Sequence, residues 1–258
     1  MKRVAVVTGA SSGIGEAIAR ELSGRGWRCV LVARREDRLR RLATELDGEP
    51  EVCDVGNREA VAAMAERVRS RHPQLHLLVN NAGMPGRAGF SEIDDERLEQ
   101  LVRVNYLGGV WCLRAFLPAL SAAGGSDVVN VVSVAGTVAF APSGPYSASK
   151  HAQLAFSRAV TAELRPRGIR VHTVNPGFVE TEGFPQRAVL QSRLFRRLVI
   201  EPTDVARHVV HVVENDRRET FVPRIYRLAA IAQAVVPGLV GRAGARSGYR
   251  RGGPRIAR

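Results

Sequence analysis

Thr8-Gly9-Ala10-Ser11-Ser12-Gly13-Ile14-Gly15 follows a short apolar run and opens a segment of helical period. Glycines let a backbone turn sharply and let a ligand approach the main chain, while the first turn of a helix attracts a pyrophosphate. The spacing is G-x-x-x-G-x-G, not the G-x-G-x-x-G of the common dinucleotide fingerprint. Its place between a first strand and a first helix favours nucleotide binding over a bland turn.

Outward from that turn, the chain alternates. Strand patterns at residues 3–8, 28–33, 51–55, 75–80, 127–133, 170–175 and 220–222 are separated by helical ones. The helical patterns end near residue 24 and span 35–46, 57–71, 94–120, 146–165 and 203–215, with Pro118 marking the end region of the long one. Strand and helix alternating in this way imply parallel pairing with right-handed crossovers. The fold class expected is α/β: a Rossmann-type doubly wound parallel sheet of about seven strands in a single domain. That domain is expected over residues 1–222, followed by a basic, partly apolar extension at 223–258 whose last twelve residues, rich in Arg and Gly, read as disordered.

Composition narrows the class. At 258 residues and 45% apolar content the chain is long enough to bury a sizeable core. Cys29, Cys53 and Cys112 lie far apart without a C-x-x-C, and read as buried free thiols in a reducing compartment. The apolar run after Met1 is too short for a signal peptide, and no stretch reaches the roughly 18 apolar residues of a membrane span, so a cytoplasmic protein is expected. The net charge is +13, of which eight arginines without one acidic residue fall in residues 224–258. The body keeps only +5.

Tyr146-Ser147-Ala148-Ser149-Lys150 carries the chemistry. Four-residue spacing puts a phenol and an ammonium on one face of a helix. A tyrosine ionises near pH ~10, and a fixed positive charge beside it is expected to lower that value, giving an acid/base pair for an alcohol oxygen. Lys2 and Lys150 are the chain's only lysines; every other basic residue apart from the histidines is arginine. A compact ammonium and a planar guanidinium are not equivalent in a site, so the retained lysine is a hint.

The end of the second strand bears on the cofactor. An acid there holds a ribose 2′-hydroxyl of NAD, whereas arginine accommodates the 2′-phosphate of NADP. This chain has Ala33-Arg34-Arg35, which favours NADP(H), with Arg34 as the expected phosphate partner; the alternative is two solvated charges at a helix start.

Taken in order, Gly9, Gly13 and Gly15, then Asn80-Asn81-Ala82-Gly83, Asn105, Ser133, Tyr146, Lys150 and Pro176-Gly177 resemble the short-chain dehydrogenase/reductase family. The resemblance runs from about residue 2 to residue 222, and the joint order of the motifs is far more specific than any one of them. It implies a catalytic set of Asn105, Ser133, Tyr146 and Lys150. Tyr146 would be the general acid/base, and Lys150 would lower its pKa and hold the nicotinamide ribose. Ser133 would stabilise the charge developing on the substrate oxygen, and Asn105 would steady a water relaying protons from Lys150. It also implies a cofactor site. Gly9, Ser11, Ser12, Gly13, Ile14 and Gly15 would meet the pyrophosphate, and Arg34, Asp54 and Val55 the adenosine end. Asn81, Ala82 and Gly83 would line the adenosine side, and Pro176, Gly177 and Thr181 the nicotinamide. For Asp54 the other reading is a helix cap.

The implied function is NADP(H)-dependent interconversion of a carbonyl and a secondary alcohol, in a homo-dimer or homo-tetramer. A lid at residues 178–200, carrying Phe178, Phe184, Val189, Leu190, Leu194, Phe195 and Leu198, favours an apolar substrate. Rival readings are a catalytically idle nucleotide sensor or scaffold on the same fold, and a nucleic-acid binder suggested by charge alone. No metal site is expected: His208 and His211 read as surface or interface residues, and His72 and His76 as structural. The apolar run 225–240, bordered by Arg224, Arg227 and Arg242, admits two readings. It is either a helix packed on a neighbouring subunit or the active-site mouth, or a peripheral membrane contact.

Overall fold

The structure is a computed structural model that describes residues 2–86, 88–139, 143–183 and 198–246, the last four of these by backbone alone. β1 (Val4–Thr8), α1 (Gly13–Gly24), β2 (Arg28–Ala33), α2 (Glu36–Leu46), β3 (Glu49–Val52), α3 (Arg58–Arg71) and β4 (Leu77–Asn80) form the first half. α4 (Asp95–Val102), a π turn (Arg103–Leu107), α5 (Gly108–Ala122), β5 (Ser126–Val131), α6 (Gly144–Leu164) and β6 (Ile169–Pro176) follow. Two short strands, β7 (Phe178–Val179) and β8 (Val199–Ile200), pair with each other. The chain then continues through α7 (Pro202–Glu214), β9 (Glu219–Val222), α8 (Tyr226–Val235) and α9 (Pro237–Arg246).

The sheet is parallel throughout, in the order β3-β2-β1-β4-β5-β6-β9. It is the Rossmann-type doubly wound sheet of seven strands that the alternating pattern predicts. Side chains alternate across it. Ala5 and Val7 face a cluster closed by α1, α2 and α7, while Val4 and Val6 face another closed by α3, α5 and α6. Burial on both faces explains why the strands read as continuous apolar runs rather than alternating ones.

Boundaries shift by one or two residues at several elements, and three of the differences have a local reason. β3 lies at Glu49–Val52 rather than 51–55, because Asp47 adopts a left-handed conformation (φ 49°) that ends α2 and launches the strand early. Pro50 is tolerated there because β3 is an edge strand. The expected long helix at 94–120 is broken into α4 and α5 by the π turn, and α5 runs past Pro118 to Ala122. β5 stops at Val131, which leaves Ser133 beyond the strand as the cap of a short 3-10 turn, Val134–Gly136. The arginine- and glycine-rich end at 247–258 lies outside the described residues.

Cys29, Cys53 and Cys112 are buried free thiols, and burial pushes Cys29 up to about 12 and Cys53 up to about 11. His72 bonds Glu49 and His76 accepts from the Val4 N–H, both structural contacts. Among the described residues no cluster of His, Cys, Asp and Glu is arranged to hold a metal, and no helix is long and apolar enough to cross a membrane.

Candidate active site

The C-terminal ends of β1, β4, β5 and β6 meet at one edge of the sheet, the place where open α/β sheets bind ligands. The glycine turn lies between β1 and α1, and its glycines are required. Gly9 and Gly13 have φ of +69° and +59°, and a Cβ on Gly15 would stand 2.2 Å from the Gly9 carbonyl oxygen. A Cβ on Gly9 would come within 2.9 Å of the Ala82 Cα, so the turn and the loop after β4 are in contact. Thr8 fastens them together. Its hydroxyl donates to the Val79 carbonyl (3.1 Å) and accepts the N–H groups of Asn81 and Ala82 (3.0 Å each), and Asn81 Nδ2 donates to the Thr8 carbonyl (3.0 Å). The Ser12 side chain makes no capping bond to α1, so the N–H groups of the first helical turn are not covered by it. A tight, Cβ-free cradle at a helix start fits a nucleotide pyrophosphate.

Across the sheet edge stands the catalytic set implied by the resemblance. The Ser133 hydroxyl accepts the Ala135 N–H (3.1 Å) and is hydrogen-bonded to the Tyr146 phenol. Burial pushes Tyr146 up to about 12, with the Ser133 bond pulling the other way. Lys150, at 4% exposure, donates from Nζ to Gln153 Oε1 (2.8 Å) and, at longer range, to the Val131 carbonyl (3.4 Å). Burial brings its ammonium down to about 7. Desolvation is the largest influence on both groups and acts in opposite directions, raising the phenol and lowering the ammonium.

Asn105, 1% exposed, projects from the π turn that interrupts the long helix. Its Oδ1 accepts the Met84 N–H (2.8 Å), and its Nδ2 donates to the Met84 carbonyl (3.2 Å) and to Ser149 Oγ (3.0 Å). Ser149 Oγ in turn donates to the Tyr146 carbonyl (2.7 Å). A Cβ on Gly83 would stand 3.3 Å from Asn105 Oδ1 and 3.7 Å from Lys150 Nζ. Gly83, Asn105 and Lys150 thus surround one small space. π turns often mark functional sites, because the extra residue re-aims a side chain.

The basic corner is arranged differently from the sequence reading. Arg34 is 70% exposed along its side chain and stands 3.7 Å from Asp54. Arg35 leans over the glycine turn, with Nε donating to Ser11 Oγ (3.2 Å) and Nη2 to the Ser12 hydroxyl. Glu182 pairs with Arg35 (3.6 Å) and Arg38 (3.1 Å). Asp54 is not the cap of α3: its Oδ1 accepts the Gly56 N–H (2.9 Å), while Asn57 caps the helix through Ala60 N. The Val55 side chain is turned into the core against Gly108. Thr181 packs on the glycine turn, its Cγ2 3.2 Å from where a Gly13 Cβ would stand.

After β6, Pro176-Gly177 lies directly under Tyr226: a Cβ on Gly177 would stand 1.9 Å from the tyrosine ring. The Tyr226 hydroxyl donates to the Leu198 carbonyl (3.2 Å) and accepts the Phe178 N–H (3.5 Å), and the two aromatic rings meet edge to face. Of the expected lid, Phe178 and Leu198 are seen here; Phe184, Val189, Leu190, Leu194 and Phe195 lie outside the described residues. Gln153, Ser149 and Tyr226 are residues to which sequence reasoning gives no role, and it ranks Arg35 behind Arg34. Gln153 carried a signal, one helical turn from the retained lysine.

Comparison with known proteins agrees with this geometry. The family model described as short chain dehydrogenase matches residues 3–188. A putative ketoacyl reductase of Streptomyces coelicolor is 38% identical over 185 residues, 69% of this chain and 71% of the relative. An actinorhodin polyketide ketoreductase solved with NADPH is 32% identical with a TM-score of 0.74, covering 82% of this chain and 90% of that one. A short-chain dehydrogenase/reductase of Burkholderia phymatum solved with NAD is 26% identical with a TM-score of 0.82, covering 93% and 95%.

Proposed function

The chain belongs to the short-chain dehydrogenase/reductase family and is an oxidoreductase of the alcohol/carbonyl class, and from that premise we propose that it works with NADP(H) on an apolar ketone or secondary alcohol. The observation that carries the proposal is the convergence of Ser133, Tyr146, Asn105, Gly83 and Lys150 at the same sheet edge as the glycine cradle. The bound nicotinamide supplies or accepts the hydride.

The protein's own residues do the rest. Gly9, Ser11, Ser12, Gly13, Ile14 and Gly15 hold the pyrophosphate against the α1 N-terminus, and Asp54, Val55, Asn81, Ala82 and Gly83 line the adenosine side. Pro176, Gly177 and Thr181 border the nicotinamide end. Ser133 donates to the substrate oxygen and stabilises charge developing on it. Tyr146 Oη gives its proton to that oxygen in reduction and takes it back in oxidation. Lys150 holds the ribose, favours the phenolate left behind, and passes a proton onward through the space it shares with Gly83 and Asn105.

NADP(H) is favoured over NAD(H) because Arg34 and Arg35 follow β2, where an acid would hold a free ribose hydroxyl, and Arg35 reaches over the cradle. The apolar sequence of residues 178–200 favours an apolar substrate. We further infer a cytoplasmic homo-oligomer. A screen of NADPH and NADH consumption across ketones, aldehydes and 3-oxoacyl thioesters tests the reading. Turnover with NADPH in excess of NADH supports it; tight NADPH binding without turnover on any carbonyl would mark the chain as an idle nucleotide-binding scaffold instead.

A further inference from the structure

α8 is turned the wrong way round for a helix that serves only the core of its own domain. Its small residues face inward: Ala229 and Ala230 pack with Tyr226 against Val134, Val138 and Phe221. Its bulky apolar residues face outward, with Leu228 66%, Ile231 50% and Val235 72% exposed, and Leu239 of α9 is exposed beside them. At helical spacing Leu228, Ile231 and Val235 share one face, Arg227 is exposed one turn before Ile231, and Arg224 is exposed in the turn that leads into the helix. We propose that this face lies on an anionic lipid surface, with the apolar side chains in the interfacial layer and the arginines on acidic headgroups.

Charge decides between this occupant and a second copy. A two-fold contact brings a patch against itself, so Arg224, Arg227 and Arg242 would meet their own copies. Residues 224–258 contain eight arginines and no acid with which to answer them. An anionic surface answers all of them at once, and each basic residue near such a surface strengthens binding about fivefold. Geometry agrees with lying on a bilayer rather than crossing one. Each helix has only ten residues, about 15 Å, and Pro237 divides them.

The test is co-sedimentation of the full-length protein with vesicles of phosphatidylglycerol and phosphatidylcholine, against vesicles of phosphatidylcholine alone. We expect capture by the anionic vesicles at low salt, release at high salt, and little capture by the neutral ones. The double variant Leu228→Ser/Ile231→Ser keeps every charge, including the arginine-rich end, and should lose at least about tenfold in partitioning, since two apolar side chains no longer enter the interface. Unchanged carbonyl turnover or an unchanged thermal midpoint verifies that the variant is folded. No capture at low salt overturns the proposal, as does equal capture of the variant and the unmutated protein, which would reduce the effect to charge alone. A variant that splits an oligomer while neither protein binds vesicles would assign the face to a second copy.

Discussion

Around Tyr146, the side chains of Lys150, Asn105, Ser149 and Gln153 are polar groups taken out of water; along the outer face of α8, Leu228, Ile231 and Val235 are apolar groups left in it. Each region inverts the ordinary partition of side chains. In the first, every group named has a hydrogen-bond partner, so burial is tolerated and the set is held in one geometry. In the second, the apolar groups have no partner in the described chain and alanines do the packing. Stability alone explains neither region: the first has too many buried polar groups, the second too few buried apolar ones.

The comparison can be broken at its strongest point first. Tyr146→Phe keeps the ring and removes the transferable proton, so turnover should fall by ~10²–10⁴ while NADPH affinity, read by fluorescence titration, is retained. Near-normal turnover in that variant would remove Tyr146 from the acid/base role.

Next comes the buried ammonium. Lys150 falls from 10.5 to about 7 on folding, so the unfolded chain binds more protons in that window and stability should rise as pH climbs from about 7. The buried thiols of Cys29 and Cys53, raised from 9.0 to about 12 and about 11, and then Tyr146, raised from 10 to about 12, act in the opposite sense once the unfolded groups ionise, so the gain should reverse above about pH 9. Thermal midpoints of the cofactor-free protein across this range read the slope, and Lys150→Met should abolish the rise. An identical rise in Lys150→Met would assign it to another group.

At the basic corner, losing a charged hydrogen bond to a phosphate costs ~1.5–3 kcal/mol, or about one to two decades in affinity. Arg34→Ala and Arg35→Ala should each weaken NADPH without an equal loss for NADH. Because Arg35 already reaches over the glycine turn, we expect the larger effect from Arg35, measured by isothermal titration with both nucleotides. Equal NADPH and NADH affinities in the unmutated protein would remove the preference altogether.

The smallest effect belongs to the second region. Leu228→Ser should change the unfolding free energy by no more than ~0.5 kcal/mol, because the side chain is exposed. Gly177→Ala is its counterpart one layer in. The added methyl has to displace the Tyr226 ring, at a cost of ~1–3 kcal/mol in chemical denaturation. If the two substitutions cost the same, α8 is not packed as its inward alanines indicate.

What was legible in the chain was whatever depends on neighbours in sequence. The glycine turn, the alternation of strand and helix, and the four-residue spacing of Tyr146 and Lys150 are local patterns, and the alternation predicted the α/β class and a parallel sheet of about seven strands. Tertiary structure decided whatever depends on distant partners. Where Lys150 and Tyr146 themselves titrate depends on how much water the surrounding elements exclude, and no spacing rule contains that quantity. The π turn under Asn105 extends a helical pattern by one residue without changing its composition, so 94–120 read as one helix. Arg34 and Arg35 are adjacent in sequence, and only the fold turns Arg35 toward Ser11 and Ser12. In α8 both faces are apolar, so periodicity could not say which one is buried; in the fold Tyr226, Ala229 and Ala230 pack beside Val134, Val138 and Phe221, and Leu228, Ile231 and Val235 stay outside.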